Sequence, residues 1–137
     1  TPVVEALAEF GEMIGVAFQL SDDLLDIASD ATESGKTPGT DLREGVLTLP
    51  VLYALAGDDP DPQAVRLREI LSGGAVTDEA EVAEALRLLR DSPALKQARE
   101  TVRSYADRAR ARLRPLPDVP ARRALESLCD VIVDRTG

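Results

Sequence analysis

The chain of 137 residues contains no histidine, no tryptophan and one cysteine, and only 3% of its residues are aromatic. Without histidine, it cannot itself supply a histidine metal ligand or a Ser-His or Cys-His catalytic pair. The single cysteine, Cys129, excludes an internal disulfide, which fits a reducing compartment and predicts a cytoplasmic protein. We interpret Cys129 as a small apolar residue of the last helix.

Basic residues are also scarce, since 16 lysines and arginines face 25 aspartates and glutamates and leave a net charge of −9. This balance argues against binding to nucleic acid or to an anionic membrane surface. No apolar run approaches the ~20 residues that a membrane-spanning helix needs, and no segment resembles a signal peptide. An anionic substrate is still compatible with this charge if a metal cation mediates the contact.

Apolar residues make up 44% of the chain, which is enough for a core, and the length fits one domain. Their spacing of three and four predicts helices throughout and no strands. The predicted helices cover residues 2–28 and 49–56 and then begin near Asp61, Asp78, Ser92 and Asp118. The short connections between them predict an all-α fold, an antiparallel helical bundle.

Residues that favour helix N-caps precede most of the predicted helices. Thr48, Asp61 and Asp118 are each predicted to cap the helix that follows. Asp78 with Glu81 predicts a capping box. In the last helix, the apolar face is predicted to consist of Leu125, Leu128 and Ile132.

The first helix has two different faces. The face predicted to be buried consists of Val3, Leu7, Phe10, Ile14, Ala17, Leu24 and Ala28. At about 100° per residue, the opposite face carries Gly15, Gln19, Asp22, Asp23 and Asp26. Gly15 leaves room on this face for a substrate or for a neighbouring helix.

The aspartate cluster of this face is unfavourable on its own. Asp22 and Asp26 have the i,i+4 spacing at which like charges repel, and the acids lie near the negative end of the helix dipole. A cation would compensate, and Mg²⁺ uses one or two carboxylates together with substrate phosphates. The alternative is a solvated acidic face without a ligand.

A loop rich in glycine and proline follows the first helix and contains Lys36 between a glycine and a turn. Such a lysine can hold a phosphate group by its point charge. The alternative is a solvated loop lysine.

Three segments of the chain match the motifs of one known family in order and spacing. They read FQLSDDLLDIASD, GKTPGTDLREG and TLPVLYAL, and together they resemble the trans-isoprenyl diphosphate synthases. These are all-α enzymes that build linear polyprenyl diphosphates. The match is specific over residues 11–55 and looser over residues 92–135.

The resemblance implies a metal site. Asp22, Asp23 and Asp26 match the second aspartate-rich motif of the family, which binds Mg²⁺, with Mn²⁺ as a substitute. Asp41 matches an acid that supports the metal cluster in that family. Asp22 and Asp23 would therefore take part in catalysis through the metal.

The resemblance also implies substrate contacts. Phe18 and Gln19 match the FQ element of the family, and Lys36 matches a lysine that contacts the substrate diphosphate and assists its departure. The substrates would be an allylic prenyl diphosphate and isopentenyl diphosphate. The product would be five carbons longer and able to partition into membranes, and the enzyme would be a homodimer.

The resemblance covers only the C-terminal part of a polyprenyl synthetase domain, so residues 1–137 are predicted to be that part. The first aspartate-rich motif of the family is not among them, and the chain begins with Thr1, as a fragment would. We expect the fragment to be inactive by itself. Val46 stands where the family often has a lysine after the EG pair. The alternative interpretation is a non-catalytic helical subunit or interaction module of a prenyl synthase complex.

Overall fold

The computed structural model describes residues 1–28 and 37–136 of the chain. These ranges form helices and turns without a strand, as the all-α prediction requires. The helices are α1 (Pro2–Ala28), α2 (Thr40–Glu44), α3 (Leu49–Ala56), α4 (Pro62–Leu71), α5 (Glu79–Arg90), α6 (Pro93–Ala111) and α7 (Pro120–Asp134). The bounds of α1 and α3 are the predicted ones, whereas the short α2 was not predicted.

The chain divides into two compact units. We call residues 22–98 the central unit, and residues 1–21 with 99–137 the terminal unit. Each of the two has its own apolar core. Helices α1 and α6 contribute residues to both units. None of the described helices is long and apolar enough to cross a membrane.

The core of the central unit comes from the amphipathic faces of its helices. Helix α4 packs against α3 and α5. The buried residues include Ile27, Leu42, Val51, Leu67, Ile70, Leu71, Val82, Leu86 and Leu89. Burying apolar area stabilises this packing by roughly 25 cal/mol per Å². The core therefore fixes the orientation of the end of α1 and of α2.

The core of the terminal unit is smaller. It contains Phe10, Ala106, Ala109, Leu113 and Cys129. Burial raises the pKa of the Cys129 thiol, as is expected for a thiol in apolar surroundings. The interpretation of Cys129 as a packed apolar residue is confirmed.

The buried face of α1 differs in part from the predicted one. Val3 and Leu7 are exposed, at 42% and 39%. The buried residues of this helix are Ala6, Phe10, Ala17, Ser21, Leu24 and Ile27. Val3 and Leu7 lie in the first two turns of α1, where the described residues do not cover them. Leu128 of α7 is likewise exposed, against the prediction.

Two predicted caps are present. The carboxylate of Asp61 accepts a hydrogen bond from the backbone N–H of Gln63 at 3.0 Å, and that of Asp78 accepts one from Ala80 at 3.0 Å. In a capping box, the N-cap side chain accepts the N–H of the third helical residue. Asp78 instead accepts the N–H of Ala80, the second residue of α5, so no capping box forms. Glu81 instead faces Arg66 at 3.8 Å.

The other two predicted caps, Thr48 and Asp118, make no capping hydrogen bond. Thr48 lies at the N-cap of α3, but its side chain makes no capping hydrogen bond, and within the described ranges its buried hydroxyl has no partner. The N-cap of α7 is Val119 and not Asp118. Asp118 instead forms an ion pair with Arg123 at 3.2 Å, because a nearby guanidinium competes with the backbone for the carboxylate.

Candidate active site

The last two turns of α1 in the central unit carry the three aspartates of the motif. Leu24 and Ile27 are almost completely buried, at 0% and 2% exposure, and they fix the rotation of the helix. Asp22, Asp23 and Asp26 are therefore turned toward the other side, where each is half-buried. This is the amphipathic arrangement that the sequence predicted for this part of the helix.

Asp26 connects α1 to α2 by two hydrogen bonds. Its carboxylate accepts the backbone N–H of Asp41 at 3.1 Å, and its carbonyl accepts the N–H of Gly39 at 3.1 Å. These bonds hold the first turn of α2 beside the aspartate cluster. A carboxylate can accept several hydrogen bonds or a cation, so Asp26 retains acceptor capacity. The two predicted acids Asp26 and Asp41 are thus neighbours in the structure.

The end of α1 also receives a cationic group. The Nε of Arg90 donates to the carbonyl of Ile27 at 2.8 Å. The last carbonyls of a helix have no partner within the helix and carry its negative partial charge. Arg90 satisfies one of them and offsets part of the acidic charge. The sequence did not point to Arg90, which lies 63 residues away in the chain.

Gly39 adopts a conformation that favours glycine, with φ of +89°. A Cβ at this position would lie 2.9 Å from Cγ1 of Val82, which is closer than real contacts allow. The absence of a side chain therefore lets the chain approach α5 and then turn back to Asp26. Gly39 therefore determines the direction in which the chain enters α2.

Gly39→Ala should destabilise the complete protein by more than the about 1–2 kcal/mol that left-handed backbone costs a residue with a Cβ, because the added methyl also meets Val82. Urea unfolding measures this loss. Gly74→Ala is the matched control, since Gly74 has φ of +83° with nothing within 4 Å of its Cβ position. Equal losses for the two variants would show that the contact with Val82 costs nothing.

The FQ element lies in the terminal unit, on the same helix as the aspartates. Phe18 is 48% exposed, and the guanidinium of Arg135 lies 4.5 Å from the centre of its ring. Arg135 also donates to the Phe18 carbonyl at 3.1 Å and, through Nε, to Oγ of Ser21 at 2.9 Å. Gln19 is exposed. Arg135 thus holds the backbone and ring of Phe18, a role that the sequence did not signal.

Open space surrounds the glycine that precedes the FQ element. A Cβ on Gly15 would meet nothing within 4 Å in the described residues. The room predicted at Gly15 is therefore present, and the structure does not identify what fills it. Lys36 lies outside the described residues, so its predicted phosphate contact stays a prediction.

The donor set fits an oxygen-preferring cation that also binds phosphate. Within residues 1–28 and 37–136, no three acidic or cysteine side chains converge closely enough to hold a metal ion by themselves. Mg²⁺ needs only one or two protein carboxylates when phosphate oxygens and water complete its octahedron. Asp22, Asp23 and Asp26 supply carboxylate oxygens on one helix face.

Comparison with curated proteins finds several similar enzymes. The chain is 54% identical over 134 residues to a nonaprenyl diphosphate synthase of Mycobacterium tuberculosis, covering 98% of this chain and 39% of that protein. It is 38% identical over 136 residues to the octaprenyl diphosphate synthase of Escherichia coli, covering 98% of this chain and 41% of that protein. The chain thus spans about two fifths of the length of these relatives.

Comparison with solved structures gives the same result. A geranylgeranyl pyrophosphate synthase from Corynebacterium glutamicum, complexed with calcium and isoprenyl diphosphate, matches with a TM-score of 0.87 and 45% identity, over 98% of this chain and 40% of that one. The family model for polyprenyl synthetases matches residues 1–89. The chain therefore belongs to the polyprenyl synthetase family.

Proposed function

We propose that the complete protein condenses an allylic prenyl diphosphate with isopentenyl diphosphate in a reaction that depends on Mg²⁺, and that residues 1–137 form the C-terminal part of its catalytic domain. The observation that carries this proposal is the attachment of residues 39–41, in the second motif, to the aspartate cluster. That attachment consists of the hydrogen bonds from Gly39 and Asp41 to Asp26. It brings the start of α2 next to Asp26, which supports a shared site for a cation and a diphosphate.

The aspartates would act on the diphosphate through the cation. When bound, Mg²⁺ acts as a Lewis acid that stabilises the charge on the leaving diphosphate. Asp22 would bind the cation, with Asp23 contributing directly or through water. Asp26 would join them with the acceptor capacity that its bond to Asp41 leaves, while it also holds the loop. The relative solved with calcium and isoprenyl diphosphate supports a site for an oxygen-preferring divalent cation.

Lys36 would supply a positive charge to the same leaving group. Only two residues of the chain separate Lys36 from Gly39, which is bonded to Asp26. This short separation along the chain supports the proposed role of Lys36. Phe18 and Gln19, earlier on α1, would contact the substrate.

Val46 removes one positive charge that the family often has after the EG pair. Val46 is 46% exposed and follows Gly45, which caps α2 with φ of +74°. An apolar side chain cannot bind a phosphate here. Lys36 would therefore carry a larger share of the electrostatic stabilisation in this protein.

The direct test of the function uses the complete protein. It should extend a radiolabelled allylic diphosphate by five carbons in the presence of isopentenyl diphosphate and Mg²⁺, and a chelator should stop the reaction. A complete protein that folds but forms no longer product with any allylic diphosphate would contradict the proposal. Such a result would favour the alternative, a non-catalytic subunit, which no observation on the described residues supports. Residues 1–137 alone should be inactive.

The proposed homodimer concerns the complete protein and rests on the family resemblance. The exposed apolar residues of α1 support it only indirectly, because large exposed apolar patches favour association. These include Val3, Val4, Leu7, Val16 and Phe18. Sedimentation of the complete protein should give twice the mass of one chain, and a monomer at micromolar concentration would contradict this. A cytoplasmic location and a product that partitions into membranes stay predictions.

A further inference from the structure

Arg43 of α2 makes a fork-shaped set of contacts next to the candidate site. Its Nε and Nη2 donate to the two carboxylate oxygens of Glu79 at 2.9 and 3.0 Å. Its third nitrogen, Nη1, donates to the backbone carbonyl of Pro38 at 2.8 Å. One planar guanidinium thus connects the first residue of α5 to the turn that leads into α2. Such bidentate geometry is specific to arginine.

The carbonyl of Pro38 lies in the peptide bond that precedes Gly39. The N–H of Gly39 bonds to Asp26, and the carbonyl of Gly39 accepts the N–H of Arg43 at 3.0 Å. The two faces of this turn are therefore held from opposite sides, by Arg43 and by the end of α1. Free rotation of the turn would break one set of bonds or the other.

We propose that Arg43 is a positioning residue of the diphosphate site: it fixes the Pro38–Gly39 turn between Glu79 and Asp26 and so holds Asp41 next to the aspartate cluster. This inference deepens the function proposed above and rests on it. Arg43 lies in the GKTPGTDLREG segment, but the sequence analysis assigned it no role. Its action is through the loop backbone and not through contact with the substrate.

The ion pair is suited to hold a loop under ordinary conditions. Hydrogen bonding to Arg43 lowers the pKa of Glu79, as is expected for a carboxylate that accepts two bonds from a guanidinium. The side chain of Glu79 is 70% exposed, whereas that of Arg43 is 29% exposed. An exposed pair of this kind contributes little to global stability, so its main effect is local.

A second ion pair in the central unit provides a matched control. Arg66 of α4 binds Glu84 of α5 in the same bidentate way, with Nε–Oε2 of 3.1 Å and Nη2–Oε1 of 3.0 Å. Among the described residues, its hydrogen bonds go to Glu84 and none of them reaches a loop carbonyl. Arg66 also lies 3.6 Å from Glu69 and 3.8 Å from Glu81, so Arg66→Ala removes at least as many ion-pair contacts without touching the Pro38–Gly39 turn.

The experiment compares the complete wild-type protein with Arg43→Ala, Glu79→Gln and Arg66→Ala. Calorimetry measures the affinity for inorganic diphosphate in the presence of Mg²⁺, and hydrogen exchange measures protection of the Gly39 and Asp41 amides. Arg43→Ala should weaken binding about tenfold and speed exchange of both amides. Glu79→Gln should have a smaller effect in the same direction, since Arg43 keeps its bond to Pro38. Arg66→Ala should change neither quantity.

The outcomes separate this inference from the proposed function. If the wild type binds diphosphate and both Arg43→Ala and Glu79→Gln bind it equally well, the positioning role of Arg43 is overturned while the function stands. If the folded wild type shows no Mg²⁺-dependent binding, the function fails and the inference fails with it. Glu79→Gln keeps the test valid if Arg43→Ala does not fold, because it changes none of the residues of the Pro38–Gly39 turn or of α2.

Discussion

Asp22→Asn should reduce turnover of the complete protein by at least about 10²-fold and abolish most of its Mg²⁺-dependent diphosphate binding. The exchange removes the charge that binds the cation but keeps the size of the side chain. A metal acting as a Lewis acid is worth several kcal/mol of charge stabilisation, and each 1.36 kcal/mol is tenfold in rate. The loss should therefore appear in both binding and kcat.

Two measurements check this expectation. Calorimetry with Mg²⁺ and diphosphate compares Asp22→Asn with wild type, and a condensation assay compares their kcat. Asp107→Asn is the control, because Asp107 is an exposed residue of α6 and its exchange changes the net charge equally. If Asp22→Asn and wild type bind diphosphate equally well in the presence of Mg²⁺, the proposed binding of the cation by Asp22 is contradicted. A loss in the control as well would assign the effect to overall charge.

Lys36→Ala should lower kcat by about 10²–10³, equivalent to about 3–4 kcal/mol, by analogy with the loss of one donor to a developing anion. The charge on the leaving diphosphate grows in the transition state, so a contact that strengthens with it affects turnover and not only binding. Val46 sharpens the expectation, since no lysine at that position can share the stabilisation. The helical circular dichroism spectrum should stay unchanged.

The chain offers one matched control for this variant. Its only other lysine is Lys96, which is exposed on α6, so Lys96→Ala removes the same charge elsewhere. A kcat for Lys36→Ala within about twofold of wild type would contradict the phosphate role and favour the alternative, a solvated loop lysine. A large loss in kcat for Lys96→Ala as well would show that the loss in kcat is not specific to Lys36.

Local signals determined most of the helical architecture. Apolar spacing predicted the bounds of α1 and α3, and aspartate followed by helix-favouring residues predicted the caps at Asp61 and Asp78. These features depend on neighbours within one or two turns, so the sequence contains them directly. The order of three motifs was sufficient to indicate the family, which the comparison with known proteins confirmed.

Long-range packing determined what the sequence could not. Val3 and Leu7, on the predicted buried face of α1, are exposed, because a helix of uniform periodicity does not specify which partners cover it. Only the packed core selects the line of contact.

By itself, the sequence determined the all-α class, the family and the single helix face that carries Asp22, Asp23 and Asp26. Helical geometry fixes that face, whatever the rest of the chain does. The tertiary structure alone decided that Asp26 holds α2, that Arg90 neutralises the end of α1, and that Arg43 connects Pro38 to Glu79. These contacts join residues 15, 63 and 36 positions apart. No local pattern encodes such pairs, because they form only when separate helices pack around a common core.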